Sequence, residues 1–363
     1  MKKEYEQTNN KEGLIENKEY YPYVTRSLIR LFNAGRLTNV RDVTVEPNYG
    51  HVSRIEYKNG TFRVTYGNDL GLNPGTAEEL AKDKGHTKFM LRSIGVKHPE
   101  GDEFLLPWWA NSIRKSQEER GNNSIKTVAD APAYIKNNLE YPVYVKPVNG
   151  SKGADVFRIE DDEELQDAFS IYEEKKVRVA VVERAIQMPD YRIVILDGQL
   201  ISAYRRIPLA VNGNGLDNIQ VLIDKLQEQY FQGGRDTRLN PHDPRIINHL
   251  KKINLTLDYI PDINQKLTLV SISNLSAGGT SQDVTETISQ QWINLSTYIA
   301  KNFNLRLCGV DLACQDITSA ASDYSVLEVN ASPGLDHYAS SGEEQRKIVD
   351  DLYVKVLNVP QSE

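Results

Sequence analysis

The chain has only two cysteines, Cys308 and Cys314, in 363 residues. They are too sparse for a disulfide framework and show no CxxC spacing, so both read as packed side chains on one short apolar run. No apolar run approaches the ~20 residues that a membrane-spanning helix needs. The opening segment, MKKEYEQTNNKEGLIENKEY, lacks a hydrophobic centre, so neither a secretory signal nor a transit peptide is expected, and the expected location is the cytoplasm. Neither G-x-G-x-x-G nor GxxxxGK[ST] occurs, which removes a dinucleotide-binding unit and a P-loop. Basic residues are not in excess either. A net charge of -7 gives no surface for neutralising nucleic-acid phosphates.

What is present is the composition of a soluble globular chain, with 39% hydrophobic and 26% charged residues and a mean hydropathy of -0.51. The length allows two or three packed units. Val24, Leu28, Leu31 and Phe32 recur at helical intervals and predict a helix over Tyr21 to Ala34. Three alternating runs follow, Val40 to Val45, His51 to Tyr57 and Thr61 to Tyr66, the last two joined at Asn59-Gly60, a hairpin signal. Residues 1–80 are therefore expected to form a small α+β unit.

Glu78 to Ile94 predicts one helix with Lys84 and Lys88 on one face, closed by Gly95. Trp108 and Trp109 read as a buried anchor. Tyr141 to Lys146 reads as a strand with Val143 and Val145 on one side and Tyr144 and Lys146 on the other. The segment PVNGSKG follows at once, a turn where backbone N–H groups and an ammonium can meet phosphate oxygens. Asp161 to Lys176 reads as a helix with acids in its first turn. Val177 to Val182 is a buried strand ending at Glu183, and Asp197-Gly198 joins two further strands, the second carrying Ser202, Tyr204 and Arg206 on one face.

The richest stretch is LRLCGVDLACQDITSAASDYSVLEVNASPGLDH, Leu305 to His337. Two apolar runs separated by a polar segment predict an antiparallel pair, each run carrying an acid. Alternation along a strand brings Glu328 and Asn330 out on one face, with Asp311 across from them. Two carboxylates and an amide oxygen form a hard, oxygen-only set suited to Mg²⁺ or Mn²⁺ held together with phosphates, and poorly suited to zinc. Alone, this pattern also describes an ordinary hairpin with acids in water. The apolar residues at the alternate positions favour a deliberate acidic face.

Lys88, YPVYVKPVNGSKG, VVERA, DYRIVILDG, AYRRIPLAVNGNG, NLSAGGTSQDVT, GVDL and LEVNASPGLDH stand in an order that resembles the ATP-grasp carboxylate-amine ligases, with wording similar to cyanophycin synthetases and to the ligase half of bifunctional glutathione synthetases. The resemblance spans roughly residues 80 to 340, and several spaced motifs are more specific than any one. It implies an α+β, ATP-grasp fold in which two lobes clasp the nucleotide, residues 81–183 forming the first lobe and 184–363 the second. It also implies that Lys88 and Lys146 contact phosphates, that Val182 and Glu183 lie at the adenine or ribose edge, and that Gly150, Ser151, Lys152 and Gly153 cover the triphosphate. Asp311, Glu328 and Asn330 would hold two magnesium ions.

The chemistry runs parallel. A carboxylate has no good leaving group, so ATP converts it to an acyl phosphate that an amine attacks, and phosphoryl transfer needs chiefly alignment and charge neutralisation. Arg206 is placed to stabilise the oxyanion of that attack, with Arg192 in reserve and the loop holding Asn274, Ser276, Gly278 and Gly279 offering backbone N–H groups. The expected substrates are small carboxylates and amines, amino acids or peptides, and the expected assembly is a homodimer. An ATP-grasp carboxylase, a phosphotransferase or a non-catalytic nucleotide-binding module are the other functional classes considered. Two departures stand out: the N-terminal unit is short and hairpin-rich, and Gly309 stands where some D-alanine ligases carry an arginine.

Overall fold

The computed structural model describes residues 14–121, 124–150, 153–232, 235, 237–271 and 273–360, and the chain divides into two units, residues 1–72 with 334–363 and residues 73–333. That division differs from the expected break near residue 80, because the C-terminal helices pack with the N-terminal segment. In the first unit, α1 (Tyr23–Asn33) precedes three antiparallel strands, β1 (Val40–Val45), β2 (Val52–Tyr57) and β3 (Phe62–Tyr66). The predicted alternation holds, with Ile55 and Tyr57 of β2 fully buried, as are Leu28, Ile29 and Leu31 of α1.

The second unit opens with α2 (Gly75–Lys82) and α3 (Lys84–Ser93). The single helix expected here is broken at Asp83, which leaves helical conformation at ψ 116° and caps α3 by accepting from the His86 N–H; a capping acid inside an otherwise continuous helical pattern is the reason for the break. Gly95 ends α3 at φ +71° as predicted. The next elements are β4 (Gly101–Leu105), α4 (Pro107–Glu119), α5 (Ala131–Asn138), β5 (Val143–Pro147), β6 (Phe157–Ile159), α6 (Asp162–Glu174) and β7 (Val179–Arg184). The four strands form one antiparallel sheet, ordered β4-β7-β5-β6. Its core gathers Val143, Val145, Val182, Leu165 and Phe169. Trp108 and Trp109 are half-buried rather than a buried anchor, Trp108 donating from its indole to the Val177 carbonyl at 2.8 Å.

A second sheet follows from β8 (Asp190–Leu196) and β9 (Gln199–Ile207), whose connection takes φ +49° at Asp197 and +77° at Gly198 as a type I′ hairpin requires. Between β9 and its next neighbour lies a module that the sequence pattern did not announce: β10 (Ala210–Asn212), α7 (Ile219–Gln232), α8 (Pro244–Lys252) and β11 (Lys266–Thr268). It has its own core of Val211, Ile219, Ile223, Ile246, Leu250 and Leu269. Of the strand expected over Leu267 to Ile272, Leu267 and Thr268 lie in β11, Leu269 to Ser271 are not strand, and Ile272 lies outside the described residues. The sheet is completed by β12 (Thr280–Asp283), β13 (Leu307–Cys314) and β14 (Tyr324–Asn330), with α9 (Gln290–Asn302) laid on one face, in the order β12-β9-β8-β13-β14. Trp292 and Ile299 of α9 meet Ile193, Val310, Leu312, Val326, Cys308 and Cys314 in the core. The chain then returns to the first unit as α10 (Asp336–Ala339) and α11 (Glu343–Leu357), where Arg30 grips Asp350 at 2.5 and 2.8 Å. Among the described residues, no helix is long and apolar enough to cross a membrane.

Asn73 fixes where the central pair begins and ends. Its amide oxygen accepts from the Arg306 and Leu307 N–H groups at 2.8 and 3.1 Å, and its amide nitrogen donates to the Leu307 and Ala331 carbonyls at 2.9 and 2.7 Å. Asn73→Ala leaves four backbone groups without this partner and is expected to lower stability by about 2 kcal/mol. Denaturant unfolding monitored by tryptophan fluorescence checks it; a shift below about 0.5 kcal/mol, the range of an ordinary surface change, would show the latch to be idle.

Candidate active site

Antiparallel register turns five strands into rows of side chains on one face. Asp283, Tyr204, Arg192, Asp311 and Glu328 stand directly opposite one another from β12 to β14. The next row runs Ser281, Arg206, Asp190, Ala313, Ser325, and on the other side of the first lies Ser202, Val194, Gly309, Asn330. The expected pairing of Asp311 with Glu328 is therefore realised, and Asn330 shares their face one step along. A β-bulge at Leu327 follows at once, since Glu328 faces Asp311 but Val326 faces Leu312. The extra residue swings Val326 into the core while the acids stay aimed at the other face.

Four of these side chains form a buried, alternating charge chain. Arg192 holds Asp311 through Nε and Nη2, the latter at 3.0 Å. Arg206 reaches Asp311 at 2.9 Å and both oxygens of Asp190 at 2.8 Å. Burial raises carboxyl pKa values, but Arg192 and Arg206 outweigh it at Asp311 and hold that group below its usual range. At Asp190 burial prevails and the shift is upward. Burial works against charge on Arg206 too, yet Asp190 and Asp311 keep it firmly protonated. Gly309 gives Arg192 its path: a Cβ there would come within 3.1 Å of Arg192 Cδ and 2.9 Å of Pro333 Cβ. Arg205, on the opposite face, is exposed.

Asp311, Glu328 and Asn330 are thus brought together, although no group of three His, Cys, Asp or Glu side chains gathers as a metal centre among the described residues. The set fits a hard divalent ion. Glu328 is one-third exposed and lies 3.4 Å from Lys84 Nζ, and the Asn330 amide nitrogen is buried without a hydrogen-bond partner, a donor left for an acceptor such as a phosphate oxygen beside the ion rather than for the ion itself.

The first sheet supplies the opposing charge. Tyr144 faces Glu183 and Lys146 faces Val181 across β5 and β7, so Lys146 and Glu183 emerge on the same side. Glu183 lies 2.5 Å from Lys146 Nζ and 2.5 Å from Lys88 Nζ, all three buried. Burial would raise the Glu183 carboxyl, yet the two ammonium groups hold it down at about 2. Lys88 is lowered, chiefly by burial, whereas Lys146 is raised because Glu183, and beyond it Glu328 and Asp311, overcome its burial. Two ammonium groups against one carboxylate leave a single surplus positive charge. Glu183, expected at the adenine or ribose edge, here bridges the lysines. Val182 points the other way into the core with Val143 and Val145.

The loop at Asn274 approaches Arg206 from the side of β12. Gly278 sits at φ +97°, where a Cβ would meet Leu239 Cδ2 at 2.5 Å, and a Cβ on Gly279 would lie 2.6 Å from the Ile207 carbonyl. Both positions demand glycine. Tyr230 donates to the Gly278 carbonyl at 2.8 Å and Arg235 to the Leu275 and Gly279 carbonyls at 2.5 and 2.6 Å. In the glycine-rich turn, Lys84 donates to the Gly150 carbonyl at 2.8 Å and Arg245 approaches the Gly153 carbonyl at 3.5 Å. Ser151, Lys152 and the Ser276 side chain lie outside the described residues. Sequence reasoning missed Asp190 and Arg235 as site residues, and it placed Lys84 on one helix face with Lys88 without giving it a role. Asp190 was findable as the acid opening DYR, on the same strand face as Arg192.

The lysine–glutamate cluster has a pH signature. Because the Glu183 pKa is depressed on folding, its contribution is present above the ordinary carboxylate range near 4.5 and is lost as pH falls towards about 2. Glu183→Gln strands two buried ammonium groups and is expected to cost about 3–5 kcal/mol at pH 7. The gap from wild type should narrow as pH drops from about 5 to 3, read as the difference in melting temperature; a gap independent of pH would refute the pairing.

Known proteins bear on this arrangement in three ways. A family model for the ATP-grasp domain of prokaryotic glutathione synthetase matches residues 123–228, and a RimK-like ATP-grasp domain matches residues 272–351. Cyanophycin synthetase of Crocosphaera subtropica is 29% identical over 327 residues, 88% of this chain and 34% of that protein. Its counterpart from Geminocystis herdmanii is 30% identical over 265 residues, 71% and 28% respectively. The glutathione biosynthesis bifunctional protein of Streptococcus thermophilus is 27% identical over 324 residues, 85% and 39%. The chain spans about a third of the length of these curated relatives. The crystal structure of a bifunctional glutathione synthetase from Pasteurella multocida superposes with a TM-score of 0.57 at 18% identity, covering 93% of this chain and 44% of that one, a likeness of fold. With one ATP-grasp match running from α5 through the β8–β9 hairpin into α7, and the other from β12 through β13 and β14 into α11, the chain belongs to the ATP-grasp family.

Proposed function

We propose that this chain is an ATP-dependent carboxylate–amine ligase, which converts a small carboxylate to an acyl phosphate and joins it to an amine, releasing ADP and phosphate. The observation that carries the reading is the meeting of two opposite charge groups. Lys146, in the buried pair with Glu183, feels the charges of Glu328 and Asp311 from the other sheet. A polyphosphate with its cation needs such a setting: ammonium groups on one side and hard anionic oxygens on the other.

In this reading Lys88 and Lys146 bind and orient the phosphates, and the turn from Gly150 to Gly153 covers them. Glu328, Asn330 and Asp311 would hold Mg²⁺, in two ions, which neutralises charge on the transferred phosphoryl group. Arg206 turns its buried guanidinium to the face where the amine attacks and stabilises the oxyanion, with Asp190 holding it in place. The loop from Asn274 to Gly279 adds backbone N–H groups beside it. The substrates are small acids and amines of the amino-acid or peptide class.

The reading is tested by a screen of amino acids and dipeptides with Mg·ATP, scoring phosphate release and amide product by mass spectrometry. Equal yields of ADP, phosphate and amide are expected, with Glu328→Gln inactive at unchanged melting temperature. Turnover that needs bicarbonate, or a phosphorylated product without an amide, would place the chemistry elsewhere. A second comparison concerns the neighbouring arginines. Arg206→Ala should lower amide formation by about 10²-fold, the scale of one lost oxyanion donor, while Mg·ATP affinity stays within a few-fold. Arg205→Ala should remain near wild type. Equal losses at the two positions would remove Arg206 from the acyl-transfer step.

A further inference from the structure

The module between β9 and β12 contacts more than its own core. In α8, Ile246 and Leu250 face that core, whereas Arg245, His249 and Lys252 follow one another at helical spacing along a different stripe. Arg245 and Lys252 of this stripe reach the first sheet and its connections, while His249 bonds the Thr268 backbone of β11. Lys252 Nζ donates to the Arg158 carbonyl on β6 at 3.0 Å and pairs with Glu164 of α6 at 2.8 Å. Arg245 is braced by Asp243, the α8 cap, at 2.6 Å from Nη2, and its Nη1 approaches the Gly153 carbonyl at 3.5 Å. At the other end of the module, the Leu269 N–H bonds to the Leu209 carbonyl at 2.8 Å, continuing directly from β9 and Arg206.

We propose that α8 is an arm that positions the β5–β6 hairpin from outside, and that Lys252 is its positioning residue. Gly150 and Gly153 belong to the turn of that hairpin, so the arm sets the distance between the phosphate side of the site and the sheet carrying the acids. Retention of nucleotide then depends on an element that belongs to neither of the two sheets. The inference rests on the nucleotide-binding reading above for its effect, but not for the mechanical link.

Hydrogen exchange of the full chain without nucleotide tests the link, and stopped-flow release of a fluorescent ADP analogue with Mg²⁺ tests the effect. Lys252→Ala should speed exchange in β6 and accelerate release by about 5-fold, the scale of one partly exposed ion pair with one carbonyl hydrogen bond. Lys252→Arg should restore both, and Lys251→Ala, an equally exposed lysine beside it on the same helix, should change neither. Unchanged β6 exchange in Lys252→Ala, or equal effects from Lys251→Ala, would overturn the arm. If the wild-type chain bound no ADP analogue, the nucleotide reading would fall and the exchange result alone would decide the mechanical link.

Discussion

Asp311 is the interaction on which the site depends. It is buried to 2% exposure in the middle of a sheet, a position where an unpaired carboxylate would be costly. Two arginines from two further strands converge on it, and the second is itself held by Asp190. Each of the four charges therefore has a partner, and the sum is neutral. Such a chain stands only if the register of β9, β8 and β13 is right, because a slip by one residue would turn the charges into the apolar face. That opposite face is filled by Ile193, Val310 and Leu312. Charge pairing and hydrophobic burial thus enforce the same register from the two sides of one sheet.

The legible part of the fold was whatever short-range pattern dictates. Alternation gave β13 and β14 and put Glu328 and Asn330 on one face, and Asp197-Gly198 gave the hairpin whose register lines up Arg192 with Tyr204. The break at Asp83 was hidden because apolar spacing continues through it. The bulge at Leu327 leaves no trace in a strand that already reads as β. Glu183 could be seen as an acid at a strand end, but its bridge between Lys88 and Lys146 joins a helix and two strands that sequence does not place side by side. The module around α7 and α8 escaped notice for a related reason: its residues alternate between loop and helix patterns, and only the closed core of Ile223, Ile246 and Leu250 reveals that they belong together.

The neutrality of the Asp311 cluster also decides where the field of the site comes from. With Asp190, Arg192, Arg206 and Asp311 cancelling, the charges of the described residues that shape the field are Glu328 with its partner Lys84 on one side and the surplus ammonium charge of Lys88 and Lys146 on the other. Lys84 sits between them, 3.4 Å from Glu328 and 2.8 Å from the Gly150 carbonyl. A bound anion would gain most near the lysine pair and a bound cation most near Glu328, so a metal–polyphosphate is oriented by two poles rather than drawn to one. The guanidinium groups, already satisfied by carboxylates, are thereby kept from competing for the phosphates as the strongest cations in the site would otherwise do. In the proposed reaction this reserves Arg206 for charge that develops later, on the acyl group, beside the glycine-bearing loop that its own strand partner Ser281 follows.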